Sequence, residues 1–313
     1  MARYRSKLPQ LAGELFLTDA GLETDLIFNH GIEIREFAAH TLLEDNSGKA
    51  ALAAYLRGFL ALADEMDTGF ILDSQTWKAH RHWADDLGQT PEQLRSANQQ
   101  AIAFISELRA EAANRKPVVL NGVIGPRGDA YQPDRKITVE QAHTYFAEQL
   151  GWLAATEIDM VTALTFNQAI EATGFVTAAQ GLALPAVVSF TVETDGRLPD
   201  GQPLAEAIMQ VDAETNASAA YFMVNCAHPD HFGGALDHDA AWTKRIRGLR
   251  ANASRLSHAE LDEAPELDAG DPHELADQYR ALAERLPWMN IFGGCCGSDL
   301  RHVTAIARNL PDR

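Results

Sequence analysis

The chain has 313 residues, 46% of them hydrophobic and 22% charged, the balance of a folded protein with a large core. A formal charge of −18 argues against nucleic acid or anionic membrane as a partner, since either needs a basic face to neutralise phosphates. The N-terminus lacks the apolar core of a signal peptide and no apolar run reaches roughly 18 residues, so the expected setting is the cytoplasm and the expected partners are small molecules.

Short apolar runs ending in small or polar residues alternate along the chain with longer stretches of helical period, the pattern of βα units around a parallel sheet. The predicted strands fall at 15–19 (LFLTD), 69–74 (GFILDS), 118–125 (VVLNGVIG), 159–166 (DMVTALTF), 185–192 (PAVVSFTV), 221–226 (YFMVNC), 248–254 (GLRANAS) and 289–294 (MNIFGG). Each gap is long enough for a crossover helix, and one such helix opens with capping-box spacing at Thr138 and Gln141. Eight alternations point to an α/β fold, a (β/α)₈ TIM barrel forming a single domain over residues 1–313. The acidic stretch 261–272 reads as a solvated βα loop, and it lacks calcium-loop spacing. The spacing of glycines in GVIGPRG is not a dinucleotide fingerprint, so no nucleotide cofactor is expected.

Barrel chemistry gathers at the C-terminal ends of the strands, where the βα loops converge. The chain has three cysteines, and the strand boundaries put all three there: Cys226 closes the sixth strand, while Cys295 and Cys296 follow the eighth. Three thiolates suit a soft or borderline ion such as Zn²⁺ and leave a fourth tetrahedral position open, the mark of a catalytic site. Adjacent ligands need a sharply turned backbone, which Gly293, Gly294 and Gly297 permit. Two plainer readings stand beside this one: Cys226 as a small buried hydrophobe, and a strained vicinal disulfide between Cys295 and Cys296, which a reducing compartment disfavours. His228 and His231, in CAHPDHF, read as loop histidines because Pro229 turns the chain.

The segment GGCCG followed by His302, the pair Asn225-Cys226 ending an earlier strand, and the opening TDAGLETDL together resemble the homocysteine S-methyltransferase family. The likeness extends to GPRGD (125–129) and to SFTVETDGRLPDGQPLAEAI in the fifth-strand segment, so it spans nearly the whole chain. It implies a zinc barrel that moves a methyl group from a sulfonium or quaternary ammonium donor to a thiol, usually homocysteine, as in methionine synthesis. On that resemblance Cys226, Cys295 and Cys296 hold Zn²⁺, Asp19 holds the acceptor's amino group, and the amides of Ala20 and Gly21 face its carboxylate. Trp77, in LDSQTWKAH, is the candidate aromatic face for the cationic donor, with packing beneath a loop as its other reading. For Asp19 the other reading is a turn or capping residue.

The chain departs from the family pattern at the fourth strand. Where a Glu-Thr pair is usual, the sequence reads Leu164-Thr165, which keeps the threonine of the acceptor site and removes the carboxylate. Ala20 likewise stands where glycine is usual. A site that loses a polar partner changes its preference among acceptors. Glu171, on the following helix, is a candidate substitute. The competing readings are a methyltransferase for a thiol other than homocysteine, a non-catalytic zinc or thiol-binding barrel, and a zinc hydrolase, the last disfavoured because three anionic sulfurs make the metal a poor acidifier of water.

Overall fold

A computed structural model describes residues 2–133, 136–264 and 266–311. Eight parallel strands close into one barrel in chain order, with β1 paired to both β2 and β8. They are β1 Phe16–Leu17, β2 Gly69–Asp73, β3 Val118–Ile124, β4 Met160–Phe166, β5 Ala186–Phe190, β6 Tyr221–Asn225, β7 Ile246–Ala251 and β8 Ile291–Gly294. The helices Asn46–Glu65, Pro91–Glu111, Val139–Ala154, Ala169–Gly181 and Leu204–Thr215 carry the chain from β1 to β6. Pro272–Arg285 leads to β8, and Leu300–Asn309 follows it. The capping box at Thr138 and Gln141 is formed as its spacing implies, and Thr90 with Gln93 makes another.

Alternation along the strands builds two cores. Phe16, Ile71, Val119, Met160, Val187 and Ile291 fill the barrel interior toward its N-terminal end. The residues between them face outward against the helices, as Leu72, Leu120, Val161 and Phe222 do. Phe16 packs so closely on β2 that a Cβ at Gly69 would lie 2.3 Å from its ring. Gln10, in the turn Pro9–Ala12, plugs the bottom, its side chain 3.3 Å from the Tyr221 hydroxyl. Filling the base leaves the free volume of the barrel at the C-terminal mouth.

Two expectations change. The first strand is shorter than 15–19, because after Leu17 the chain bends so that Asp19 turns its carboxylate into the mouth, held by a buried cation described below. The sixth crossover contains no full-length helix: β6 and β7 are joined through the short helix Pro229–Phe232 and the turns Gly233–Ala235 and Ala241–Arg245. Pro229 starts that helix, and Gly233-Gly234 offer no side chains to prolong it. Within the stretch 261–272, Pro265 and the side chain of Asp262 lie outside the described residues. The stretch opens on the last two residues of the short helix His258–Asp262, so the loop reading holds only from Glu263, and that loop ends in Asp271, the N-cap of Pro272–Arg285.

Candidate metal centre and substrate chamber

The sixth strand ends on Asn225, which makes the local geometry possible. Its buried amide accepts the Thr165 N–H at 3.0 Å and the Ser189 hydroxyl at 2.6 Å, and donates to Thr165 Oγ1 at 2.8 Å. Thr165 at the end of β4 and Cys226 just after β6 both take left-handed backbone, with φ of 64° and 56°. Side chains other than glycine avoid this region, and the asparagine bonds offset its cost. The result turns the Cys226 sulfur inward.

The eighth strand delivers the other two thiols. Gly293 and Gly294 serve close approach here: a Cβ on Gly293 would lie 1.9 Å from Thr18 Oγ1 and 2.6 Å from the Asp19 carbonyl, and one on Gly294 would lie 2.0 Å from Ser298 Oγ. The turn itself belongs to Gly297, at φ 78°. This refines the expectation that all three glycines serve the turn. Cys295 N–H then donates to the Ala251 carbonyl at 2.9 Å, fixing the turn to β7.

The three sulfurs meet. Cys226 Sγ is 2.9 Å from Cys295 Sγ and 3.6 Å from Cys296 Sγ, and all three lie within 4.8 Å of one another. All are free thiols, so the vicinal disulfide is not formed. An ion bonded to each sulfur at about 2.3 Å spaces them about 3.8 Å apart, close to the Cys226–Cys296 separation and some 0.9 Å wider than the Cys226–Cys295 one. The set therefore fits a thiophilic divalent ion with a small opening of one pair. Between the thiols, the close contact with Cys226 holds Cys295 well below the ordinary thiol range, with Cys296 and the nearby Arg250 guanidinium acting the same way. The same contact pushes Cys226 up, and Cys296 is raised by both neighbours.

A chamber of about 110 Å³ opens on the sulfurs, bounded by Asp19, Asp73, Trp77, Leu164 and Thr165. A second, of about 400 Å³, lies outside it and reaches His258 and Asp268. Thr24, Phe37, Trp77, Tyr131 and Cys296 wall both. Trp77 is anchored by its indole N–H on the Leu164 carbonyl at 2.9 Å, and Gly125 lets the β3 loop lie against it. Tyr131, from that loop, places its hydroxyl 3.4 Å from Cys226 Sγ and stacks on His258 with ring centroids 4.0 Å apart.

The floor of the inner chamber is a buried ion triad. Arg250, on β7, donates to Asp19 Oδ1 at 2.5 Å and to Asp73 Oδ2, and Asn121 Nδ2 donates to Asp73 at 2.7 Å. Burial pushes Asp19 up to about 7 against the pull of Arg250, with Asp73 adding to the rise. Glu23, on the turn after Asp19, is raised to about 7 by burial, opposed by a bond to its own amide.

Asp19, Ala20, Gly21, Trp77 and Thr165 all line the inner chamber with the three cysteines, so the sequence-named residues converge. Their engagements differ from expectation. The Ala20 N–H donates to the Tyr55 hydroxyl at 3.1 Å and the Gly21 N–H to the Ser298 carbonyl at 3.2 Å, so both amides are engaged within the protein. Glu171 points away, buried beside Arg127 with its carboxylate accepting the Arg127 N–H at 3.3 Å. His228 caps the short helix Pro229–Phe232 through the Asp230 N–H, whereas His231 lies within that helix and contacts the Arg255 carbonyl, so the loop reading fails for His231, and neither histidine lines the thiol chamber. Arg250, Asp73, Glu23, Phe37 and Tyr131 were not foreseen. The one available signal was Arg250, a charge inside an otherwise buried strand sequence.

A closed parallel barrel that gathers three thiols and an aromatic wall at its C-terminal mouth defines a class: a (β/α)₈ enzyme built for chemistry at sulfur. Residues 16–310 match the model of the family described as homocysteine S-methyltransferase, and the chain belongs to that family of methyltransferases. Its fold resembles crystal structures of the homocysteine methyltransferase MmuM from Escherichia coli. The oxidised form superimposes with a TM-score of 0.75 at 17% identity, covering 94% of this chain and 95% of that one. The metallated form gives 0.74 at 16%, covering 94% and 96%. At such identities the likeness concerns the fold. Among the described residues, no helix is long and apolar enough to cross a membrane.

Proposed function

We propose that the protein is a zinc-dependent S-methyltransferase that moves a methyl group from a sulfonium or quaternary ammonium donor to a small thiol of the homocysteine class. The observation that carries this reading is the convergence of Cys226, Cys295 and Cys296 within 4.8 Å at the wall of a chamber with aromatic sides. A metallated relative of the same fold supports the same use of the site. Zn²⁺, when bound, keeps coordinated sulfur deprotonated at neutral pH, where a free thiol with pKa near 8.5 is mostly protonated.

The chain's own residues supply the rest. Cys226, Cys295 and Cys296 are the three anionic ligands, and their charge leaves electron density on an acceptor sulfur. Phe37, Trp77 and Tyr131 stand between the two chambers and present aromatic faces to a cation entering from outside. The acceptor then occupies the inner chamber and the donor the outer one, with the reacting atoms meeting at the shared wall. Attack of a thiolate on a methyl group needs alignment and a dry pocket, with no obligatory proton transfer. The reduced thiols suit a reducing compartment such as the cytoplasm.

A second reading keeps the chemistry and changes the acceptor to a thiol other than homocysteine. It is favoured by Leu164 on the chamber wall and by the capture of Asp19 by Arg250. A screen of S-methylmethionine, S-adenosylmethionine and betaine against homocysteine and several simple thiols, read by mass spectrometry, separates the two. Methylation of homocysteine supports the first, methylation of other thiols alone supports the second, and transfer to no thiol contradicts both.

A further inference from the structure

The inner chamber is walled by three carboxylates, Asp19, Glu23 and Asp73, and one cation, Arg250. Asp19 and Asp73 share that cation from opposite sides, and Asp73 also takes the Asn121 amide. Leu164 contributes a carbonyl already used by Trp77 and no charged group. Among the described residues, Glu23 alone of these carboxylates has no ion pair; its carboxylate is bonded to its own amide. It is drawn toward the sulfurs because the turn bearing it is pressed onto the cysteine turn. A Cβ on Gly21 would stand 2.5 Å from the Cys295 carbonyl, and Thr24 Oγ1 accepts the Gly297 N–H at 3.1 Å.

We propose that Glu23 is the specificity-determining residue that receives the cationic ammonium group of the acceptor, so that the site prefers an amino-bearing thiol over the same thiol without the amine. The proposal rests on thiol methyl transfer as the function of this chamber. Pairing favours it: Asp19 and Asp73 are both taken up by the one guanidinium, so Glu23 is the carboxylate on these walls left to meet an incoming cation. The position of Glu23 assigns the cation to the acceptor. Glu23 lines the inner chamber with the thiols and does not line the outer one, whereas the aromatic rings suited to a methylated cation border both. The acceptor's ammonium therefore lies at Glu23 while its sulfur reaches the cysteines, and the carboxylate missing at Leu164 is supplied from the first βα turn.

Calorimetric titration of the zinc-loaded protein with homocysteine and with 4-mercaptobutanoate, which is the same molecule without its amine, tests this without turnover. The wild type is expected to bind homocysteine roughly 10- to 100-fold more tightly. Glu23→Gln is expected to abolish that preference while mercaptobutanoate binding stays within about threefold, and Glu23→Asp, which keeps the charge, to retain part of it. A wild type with no preference, or variants that keep it in full, would overturn the proposal. A parallel methyl-transfer assay separates the two levels: a binding preference lost in Glu23→Gln with no methyl transfer by any variant sinks the methyltransferase reading and leaves the Glu23 contact standing. A raised donor KM in Glu23→Gln with the acceptor preference intact assigns Glu23 to the donor and overturns the proposal.

Discussion

Arg250 Nη2 lies 2.5 Å from Asp19 Oδ1 at the floor of the barrel mouth, with both side chains buried. Asp19 is thereby engaged within the protein before any ligand arrives, and Asp73 on the other side of the guanidinium makes the arrangement a triad. Removing the cation leaves two buried carboxylates side by side without a countercharge. Arg250→Met is expected to cost about 3–5 kcal/mol in urea unfolding, and adding Asp19→Asn with Asp73→Asn to recover most of it. A loss below about 1 kcal/mol would show that the triad does not hold the mouth together.

Gly293 is where β8 touches the first βα turn, and its missing side chain is the reason it can. A methyl group there meets the Asp19 carbonyl at 2.6 Å, a backbone atom that cannot rotate away. Gly293→Ala is expected to keep the barrel, seen by far-UV circular dichroism, and to weaken metal binding at least about tenfold by displacing the cysteine turn. Gly151, inside the helix Val139–Ala154 with nothing within 4 Å of a built Cβ, is the control. Gly151→Ala is expected to stabilise by about 0.5–1 kcal/mol and to leave metal binding unchanged. Equal metal binding by Gly293→Ala and wild type would contradict the role given to that contact.

His80 gives the fold a pH dependence. Burial lowers its pKa to about 3, helped by His82, His40 and Lys78, while Nδ1 lies 2.5 Å from the Tyr145 hydroxyl and Nε2 has no partner among the described residues. The folded value lies below the unfolded one, near 6.5, so the unfolded chain binds the proton more readily. Stability attributable to this residue is complete above about pH 6.5 and is lost as pH falls toward 3, by up to about 1.4 kcal/mol per pH unit. Asp19 and Glu23, both raised to about 7, act with the opposite sign between roughly pH 4 and 7. Comparing wild type with His80→Gln isolates the histidine, and the variant is expected to lose less stability between pH 6.5 and 4. Parallel stability curves would contradict the assignment.

The barrel was legible because its signal is repetitive: eight apolar runs, each followed by a helical stretch, survive errors of a residue or two at any one boundary. The thiol triad was legible because strand ends share a place in space whatever their distance in sequence, which joins Cys226 to Cys295 and Cys296, 69 and 70 positions further on. Pairwise choices of partner were hidden. Asp19 reads the same whether it awaits a substrate amine or already holds Arg250, and that cation lies 231 residues away. Tyr131 carried no signal, since a loop tyrosine has no period to place it. The sixth crossover was misread as helical because its length allowed a long helix, whereas the one Pro229 starts stops after a turn at Gly233-Gly234.

Metal content tests the central claim most directly: the protein purified without added metal, exchanged into metal-free buffer and measured by mass spectrometry beside a Cys226→Ser/Cys295→Ser/Cys296→Ser variant. The triad predicts about one equivalent of zinc in the wild type, stripped by a strong chelator together with methyl transfer, and a small fraction of that in the variant. Equal zinc in the two proteins, or methyl transfer that survives complete removal of the metal, would contradict it.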